Sequence, residues 1–125
     1  MKLKLIQIYE CLCDETRLRI LNLLSVTPLC VSHIQKILQM GQVKVSKHLN
    51  YMKERGMLEA TRCENRTLYS LAKATSPELE TNMKCLQDCC KEYPIFLEDL
   101  NRLKSIYQEV GQIKEKCKSK NLIGG

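Results

Sequence analysis

The apolar residues at the start of the chain recur every three or four positions, which is the period of a helix packed on one side. This spacing predicts a first helix over residues 3–12. Asp14 can cap a second helix that follows as "ETRLRILNLLS" (residues 15–25), and its leucines and isoleucine indicate a largely buried helix. The second helix should end near Thr27-Pro28, because proline disfavours a helical residue before it.

Two shorter helices, separated by Gly41, follow this buried segment. The first covers residues 31–39 and has its apolar residues on one face. The second covers residues 43–55 and is polar except for one stripe at positions i, i+4 and i+7. Gly56 lies where a helix commonly ends in a left-handed residue. The stripe consists of Val45, Leu49 and Met52.

Short runs that are typical of β-strands replace the helical spacing after Gly56. Residues 57–62 and 67–71 each have the length and composition of a strand. The segment between them contains Asn65, a residue that favours turns. We therefore predict a two-stranded hairpin over residues 57–71.

The last third of the chain returns to helical spacing. Ser76-Pro77 begins a helix that continues through Cys90, and Pro94 starts or kinks the last helix. The apolar residues after Pro94 step by four and three positions, so they can lie on the chain's own core or along a partner helix. We favour a dimer seam shared with the first helix, because the chain is small and the stripe is terminal. The stripe consists of Phe96, Leu100, Leu103, Tyr107 and Val110.

A chain of 125 residues suits one domain with a modest core. We predict a mainly α fold with a small β-hairpin wing, a dimeric winged helix-turn-helix, over residues 1–110, and a basic flexible tail over residues 111–125. No apolar run approaches the ~20 residues that span a bilayer, and residues 1–10 make a poor secretory signal, so we expect a cytoplasmic protein without a membrane partner. The eight cysteines should then be reduced thiols.

The net charge of +6 is unevenly distributed. Residues 42–66 carry six basic and three acidic side chains, and residues 111–125 carry four and one. Residues 67–110 are acidic, with five basic and seven acidic side chains. A basic block on a folded segment indicates a polyanion partner, although a solvated surface has the same composition.

The two short helices and the hairpin together make a helix-turn-helix with a wing, which fits double-stranded DNA. The early positions of the second helix should lie closest to base edges: Gln42 can read adenine and Lys44 can donate to guanine. The remaining basic groups are better placed for phosphate, although His48 could instead pack against the core. The predicted DNA-binding residues are Gln42, Lys44, Ser46, Lys47, His48, Lys53, Arg62 and Arg66. Asn50, Asn65 and Lys53 are as consistent with ordinary surface residues as with binding.

Two strings, "CDETRLRILNLL" and "VSKHLNYMKERGMLEATRCENRTLYSL", resemble the ArsR/SmtB family of winged-helix repressors. The resemblance extends from about residue 5 to residue 107. It implies a homodimer that binds a palindromic operator and is released when an inducer binds. Members of this family typically sense metals, metalloids, or redox and sulfur species. We therefore expect a transcriptional repressor and not an enzyme.

Three thiols in the string "MKCLQDCC" are the candidate inducer site. On a helix Cys85 and Cys89 share a face, and Cys90 lies about 100° away from Cys89. Soft trivalent ions such as arsenite or antimonite prefer such thiolates. Cys117, another helix or the partner chain could supply the third sulfur in place of Cys85.

The metalloid site that is best known in the family, "C-V-C-D" on the first of the two short helices (residues 31–39), is altered here. This chain has Ser32 in place of one thiol and His33 in place of the acidic residue, so Cys30 and His33 form at most a partial ligand pair. The zinc site of other members needs histidines in the last helix. The only histidines of this chain are His33 and His48, so that site is not carried over.

The other thiols leave alternatives open. We expect Cys11 and Cys13 in the core, but either could pair with a late-chain thiol in a redox- or persulfide-responsive repressor. Cys63 and Cys117 look incidental. A thiol reductase is less favoured, because the chain has no C-x-x-C motif. A winged-helix module that no longer binds DNA is a third possibility.

Overall fold

The computed structural model describes the backbone of residues 3–73 and 76–124, and the side chains of 3–73 and 76–115. Over that part of the chain, seven helices and three short strands follow one another. They are α1 (Lys4–Leu12), α2 (Glu15–Leu24), β1 (Leu29–Cys30), α3 (Val31–Leu38), α4 (Gln42–Glu54), β2 (Leu58–Cys63), β3 (Arg66–Leu71), α5 (Pro77–Cys90), α6 (Pro94–Ser105) and α7 (Tyr107–Gly124). None of the described helices combines the length and the apolarity needed to cross a membrane.

Helices α1 and α2 form as the apolar spacing predicts. The Asp14 carboxylate accepts a hydrogen bond from the backbone N–H of Arg17 at 3.1 Å, which confirms Asp14 as the N-cap of α2. Helix α2 is the central element of the core, because Ile20, Leu21 and Leu23 are fully buried. The prediction of a largely buried second helix is therefore confirmed.

The predicted apolar stripe attaches α4 to the domain, since Val45, Leu49 and Met52 are each fully buried. Helix α4 ends in a Schellman arrangement, in which the N–H of Gly56 donates to the Lys53 carbonyl and the N–H of Met57 donates to the Met52 carbonyl. Gly56 has φ +77°, so the predicted left-handed helix stop is confirmed. Glycine suits this position because it has no Cβ to clash.

The wing is a hairpin of β2 and β3, with Leu58 opposite Leu71 and Cys63 opposite Arg66. Glu64 makes the turn with a positive φ of 57°. A third strand, β1, pairs with β3 and places Cys30 opposite Leu68. The sequence did not predict β1, because two residues are too few to show the alternation of a strand.

The capped start of α5 at Ser76-Pro77 is confirmed, because the Ser76 hydroxyl accepts a hydrogen bond from the Leu79 N–H at 3.3 Å. The prediction of a single last helix is wrong. It divides at Ile106, which leaves the helical conformation with φ −116° and ψ 12°. The backbone of residues 111–124 continues as α7, where we predicted a flexible tail, and the side chain of Cys117 lies outside the described part.

The C-terminal stripe packs mainly on the chain's own core. Phe96, Leu103 and Val110 are buried within the single chain, and Tyr107 is half exposed. These three buried side chains are not free to form the outer surface of a dimer seam. Other apolar residues of the first and sixth helices are exposed: Leu3, Leu5, Ile6, Tyr9, Tyr93 and Leu97. The dimer stays a prediction, and these exposed residues are its candidate contacts.

A buried ion pair joins α2 to α6. The guanidinium of Arg19 donates two hydrogen bonds to the Asp99 carboxylate, at 2.8 and 2.9 Å. The Asp99 side chain is fully buried, and the hydrogen bond from Arg19 satisfies its charge and raises the pKa of Arg19 further. This bidentate pair links the helix-turn-helix part of the molecule to its C-terminal helices.

Candidate nucleic-acid interface and thiol sites

The face of α4 opposite its buried stripe is exposed and basic. Gln42, Lys44 and Lys47 lie exposed on its first turns, and Lys53 lies exposed near its end. This arrangement follows from the helical period, because the apolar stripe faces the core and the positions between its members face solvent. The amide and ammonium groups on this face are donors that can reach base edges or phosphates.

An open groove of about 430 Å³ lies between the start of α4 and the wing. It brings together four of the eight predicted DNA-binding residues: Gln42, Ser46, Arg62 and Arg66. The groove is also lined by Ser32, Gln35 and Thr67, which the sequence analysis did not select. Ser32 and Gln35 begin α3, and only the packing of α3 against α4 places them here. The groove is polar and cationic, as a phosphate-binding surface must be.

His48 lies in a different environment from the lysines of α4. Its side chain is only 18% exposed, and Nδ1 lies 3.5 Å from Arg17 Nη1 and 3.9 Å from the Asp14 carboxylate. Burial lowers the pKa of His48, and the charges of Arg17 and Lys44 lower it further against the opposing effect of Asp14. A neutral, half-buried imidazole is a poor phosphate ligand. The geometry favours the alternative in which His48 packs against the helix-turn-helix core.

Cys85 and Cys89 are the two thiols that the structure brings together on α5. Their sulfur atoms lie 3.9 Å apart, and both side chains are exposed. Cys90 is buried and only 4% exposed, so it faces the core instead of joining this pair. Among the described residues, no group of three or more His, Cys, Asp or Glu side chains is placed to hold a metal ion. The single chain therefore presents two of the three predicted ligands at one place.

Cys89 and Cys90 hold their protons more firmly than a free cysteine does. The hydrogen bond with Cys85, followed by the charge of Cys85, raises the pKa of Cys89. Burial raises the pKa of Cys90 to about 11. At neutral pH these groups are thiols, so a ligand must take their protons as it binds.

A second open cavity, also about 430 Å³, lies where the ends of α1 and α5 meet the starts of α2 and α6. Its lining includes three thiols, Cys13, Cys89 and Cys90, among apolar side chains such as Leu86 and Phe96. We predicted Cys13 in the core, and that prediction is wrong, because Cys13 is exposed at this cavity. The expectation holds for Cys11, which is fully buried.

Cys30 is a buried thiol at the N-terminus of α3. Its sulfur lies 3.2 Å from the Ser32 hydroxyl and 3.4 Å from Nδ1 of His33. Burial opposes ionisation, but hydrogen bonds from the His33 side chain, the Ser32 hydroxyl and the His33 backbone lower the pKa of Cys30 to about 6. The predicted partial pair of Cys30 and His33 is in contact. Cys63, which looked incidental on the wing, is also buried.

Residues 14–60 match the family model described as "Bacterial regulatory protein, arsR family". These residues extend from the N-cap of α2 through α4 into β2, so the match covers the helix-turn-helix. The resemblance to this family that the two sequence strings indicated is confirmed.

Two known regulators match parts of the chain. The arsenical resistance operon repressor of Escherichia coli is 44% identical over 54 residues, which are 42% of this chain and 46% of that repressor. The arsenic resistance transcriptional regulator ArsR1 of Pseudomonas putida is 29% identical over 87 residues, which are 69% of this chain and 68% of that regulator. The match thus spans about half the length of the E. coli protein and two thirds of the P. putida protein.

Three solved structures share the fold. HlyU of Vibrio cholerae superimposes with a TM-score of 0.62 at 23% identity, over 69% of this chain and 90% of HlyU. The homodimeric winged helix-turn-helix domain Mb0332 of Mycobacterium bovis gives 0.60 at 24% identity, over 72% and 81%. The antimony-specific repressor AntR gives 0.56 at 26% identity, over 70% and 80%. The predicted winged helix-turn-helix fold is confirmed.

Proposed function

Since residues 14–60 match the arsR family model, we propose that the protein is a homodimeric repressor of transcription that a thiol-bound arsenite or antimonite releases from its operator. The observation that carries the DNA-binding part is the groove that joins Gln42 and Ser46 of α4 to Arg62 and Arg66 of the wing. Helix α4, which we call the reading helix, lies beside a cationic wing, and this arrangement matches a major groove and its neighbouring backbone.

Exposed apolar residues on α1 and α6 support the dimer. Leu3, just before α1, is 69% exposed, Ile6 on α1 is 46% exposed, and Leu97 on α6 is 44% exposed. Contact with a second copy of the chain would remove these side chains from water. Two reading helices related by a twofold axis then fit half-sites about one turn of DNA apart. Sedimentation of the purified chain tests this part, and a monomer at micromolar concentration contradicts it.

The exposed Cys85–Cys89 pair supports the inducer site. Trivalent arsenite is a neutral hydroxide, and each As–O bond that breaks is replaced by an As–S bond, while the thiol proton leaves with the hydroxide as water. Two bonds form at Cys85 and Cys89, whose sulfur atoms lie 3.9 Å apart. Cys90, Cys117 or a thiol of the partner chain completes the three-sulfur site. Two related regulators carry names that refer to arsenic, and a third is named for antimony.

The protonation of Cys89 and Cys90 favours a trivalent hydroxide over a divalent cation. A cation such as Cd²⁺ must displace the thiol protons into solution, so its affinity falls as the pH falls. Arsenite carries the protons away as water, so its affinity changes little. The raised pKa values of Cys89 and Cys90 strengthen this difference.

Release of a fluorescent operator duplex at pH 6 and pH 8 tests the inducer. The duplex is selected beforehand from a random pool by the wild-type protein. We expect the midpoint for arsenite to stay within about threefold, and the midpoint for cadmium to move by tenfold or more per bound thiol pair. Equal shifts for both ligands would contradict the arsenite chemistry, while a protein that selects no duplex would contradict the repressor itself.

A redox- or persulfide-responsive repressor is the second candidate, and the cavity that joins Cys13 to Cys89 and Cys90 favours it. An oxidant such as a persulfide or diamide would accept two electrons and two protons as a disulfide forms between Cys13 and Cys89. Cys13→Ser separates the two candidates. Oxidative release that disappears in this variant, with arsenite release unchanged, supports the redox function. If both forms of release are unchanged, the redox candidate is wrong.

A further inference from the structure

Arg17, on α2, contacts both α1 and α4. Its Nε donates a hydrogen bond to the Cys11 carbonyl at 3.1 Å, and its Nη2 donates to the Glu10 carbonyl at 2.9 Å. These carbonyls belong to the last turn of α1, whose carbonyl groups point toward the helix end. The guanidinium therefore caps the C-terminus of α1, where a positive charge also favours the helix dipole.

The same guanidinium contacts the reading helix. Its central carbon lies 4.2 Å from the centre of the Tyr51 ring, and Nη1 lies 3.5 Å from His48 Nδ1. Arg55 stacks on the same ring at 3.4 Å, and Arg55 Nε lies 4.0 Å from the Glu10 carboxylate. The contacts of Arg17 and Arg55 with the Tyr51 ring are cation–π contacts, which fix the direction of the ring as well as its distance. The end of α1 and the inner side of α4 are thus held by one cluster.

The cluster joins the helix proposed to dimerise to the helix proposed to read DNA. Leu3, Ile6 and Tyr9 leave the outer face of α1 exposed and apolar. In a dimer built on α1, the angle between α1 and α4 sets the separation of the two reading helices. Half-sites on DNA tolerate little change in that separation, because they must face the same side of the duplex.

We propose that Arg17 is a positioning residue, which fixes α4 relative to α1 and thereby sets the spacing of half-sites that the dimer recognises. The proposal rests on the repressor function and deepens it. Arg17 is not itself a DNA contact, because its guanidinium is occupied by the α1 carbonyls and the Tyr51 ring. Its Nη2 also lies 3.9 Å from the Cys13 sulfur. A change at the cavity lined by Cys13, Cys89 and Cys90 would therefore act on the same guanidinium.

A structural arginine and a positioning arginine differ in how they affect single and paired half-sites. Loss of a structural residue weakens binding to every duplex alike. Loss of a positioning residue leaves each reading helix intact, so a single half-site is bound as before. Only the advantage of the paired site, which depends on the spacing of the two helices, is lost.

The test is fluorescence anisotropy of the full-length protein on three duplexes. These are the palindrome selected by the wild type, the same palindrome with one base pair inserted between half-sites, and a single half-site. The variants are Arg17→Lys, which keeps the charge but not the planar fork, and Tyr51→Leu, which removes the ring. Tyr51→Phe is the matched control because it keeps the ring face, and Lys84→Ala controls for a lost surface charge.

We expect Arg17→Lys and Tyr51→Leu each to weaken palindrome binding about tenfold, because α4 is then no longer fixed relative to α1 and part of the advantage of the paired site is lost. Half-site binding should stay within about twofold, and the penalty for the inserted base pair should disappear. Tyr51→Phe and Lys84→Ala should match the wild type. A parallel fall on palindrome and half-site, or no change on either, would overturn the proposal. Wild-type protein that binds none of the duplexes would instead overturn the repressor function.

Discussion

The reading half of the molecule, residues 29–71, and the thiol half, residues 77–110, present their polar groups differently. The reading half collects residues from α3, α4 and the wing around one groove, so several elements must fold together to make it. The thiol half places Cys85 and Cys89 on one helix face, where the helical period alone brings them together. The DNA surface thus depends on tertiary packing, and the thiol pair depends only on α5.

The bidentate pair of Arg19 and Asp99 joins α2, which packs beneath the reading half, to α6 of the thiol half, and its loss should have the largest effect. Asp99→Ala leaves a buried guanidinium without its carboxylate, so we expect the free energy of unfolding to fall by about 3–5 kcal/mol. Urea unfolding followed by circular dichroism measures this change. The exposed neighbour in Glu98→Ala should cost less than about 0.5 kcal/mol. A loss at Asp99 as small as the loss at Glu98 would show that the halves are joined by other contacts.

The lysines of the reading half should control affinity for DNA without affecting the thiol half. Replacing both Lys44 and Lys47 by Ala removes two cationic charges from the face that meets DNA, so the slope of log K against log salt should fall by about 1 to 2 per chain. Affinity at low salt should fall by about ten- to a hundredfold. Lys84→Ala together with Lys104→Ala removes the same charge elsewhere and should leave the slope nearly unchanged. Equal slopes for the two double variants would place the DNA surface elsewhere.

The stop of the reading helix is the next feature in order of effect. Gly56 has φ +77°, and no atom lies within 4 Å of the position that a Cβ would occupy. The cost of Gly56→Ala is therefore backbone strain alone, about 1 kcal/mol of unfolding free energy. Gly41→Ala, where the backbone is extended at φ −71°, should cost less. Thermal unfolding of the two variants decides this, and a larger loss at Gly41 would contradict the assigned helix stop.

A further prediction is a pH dependence at the join of β1 and α3. The folded-state pKa of Cys30 is about 6, below its usual value of 9.0, so its thiolate stabilises the fold. That contribution is complete above pH 9 and is lost as the pH falls from 9 to 6. We expect wild type to gain stability relative to Cys30→Ser between pH 6 and pH 8, because serine does not ionise there. Urea unfolding at both values measures it, and a constant difference would show that Cys30 stays protonated.

Local rules predicted the elements but not the neighbours of each side chain. The Asp14 cap, the α4 stripe and the Gly56 stop each depend on spacing within one element, and each is present. The break at Ile106 and the strand β1 depend on contacts between distant segments, and the sequence does not show them. Short-range periodicity is therefore informative where one helix supplies the whole pattern.

The same distinction applies to the candidate sites. Cys85 and Cys89 are in contact because the period of a helix requires it, and the burial of Cys90 follows from its different angle on α5. His48 and Arg17 are polar residues whose contacts come from another helix. The sequence offered His48 as a phosphate ligand or a core residue and did not mark Arg17, because neither spacing nor composition shows that Arg17 contacts both His48 and Tyr51.

The most direct test of the account is release of the selected operator duplex by arsenite, measured for wild type and for Cys85→Ser/Cys89→Ser. The double variant removes the thiol pair but leaves the groove of α4 and the wing unchanged, so it should bind the duplex as tightly as wild type. We predict that arsenite releases the wild-type complex and that the variant stays bound at a hundred times that concentration, about 2.7 kcal/mol of lost inducer binding. Release of both proteins at the same arsenite concentration would contradict control of the reading half by the thiols of α5.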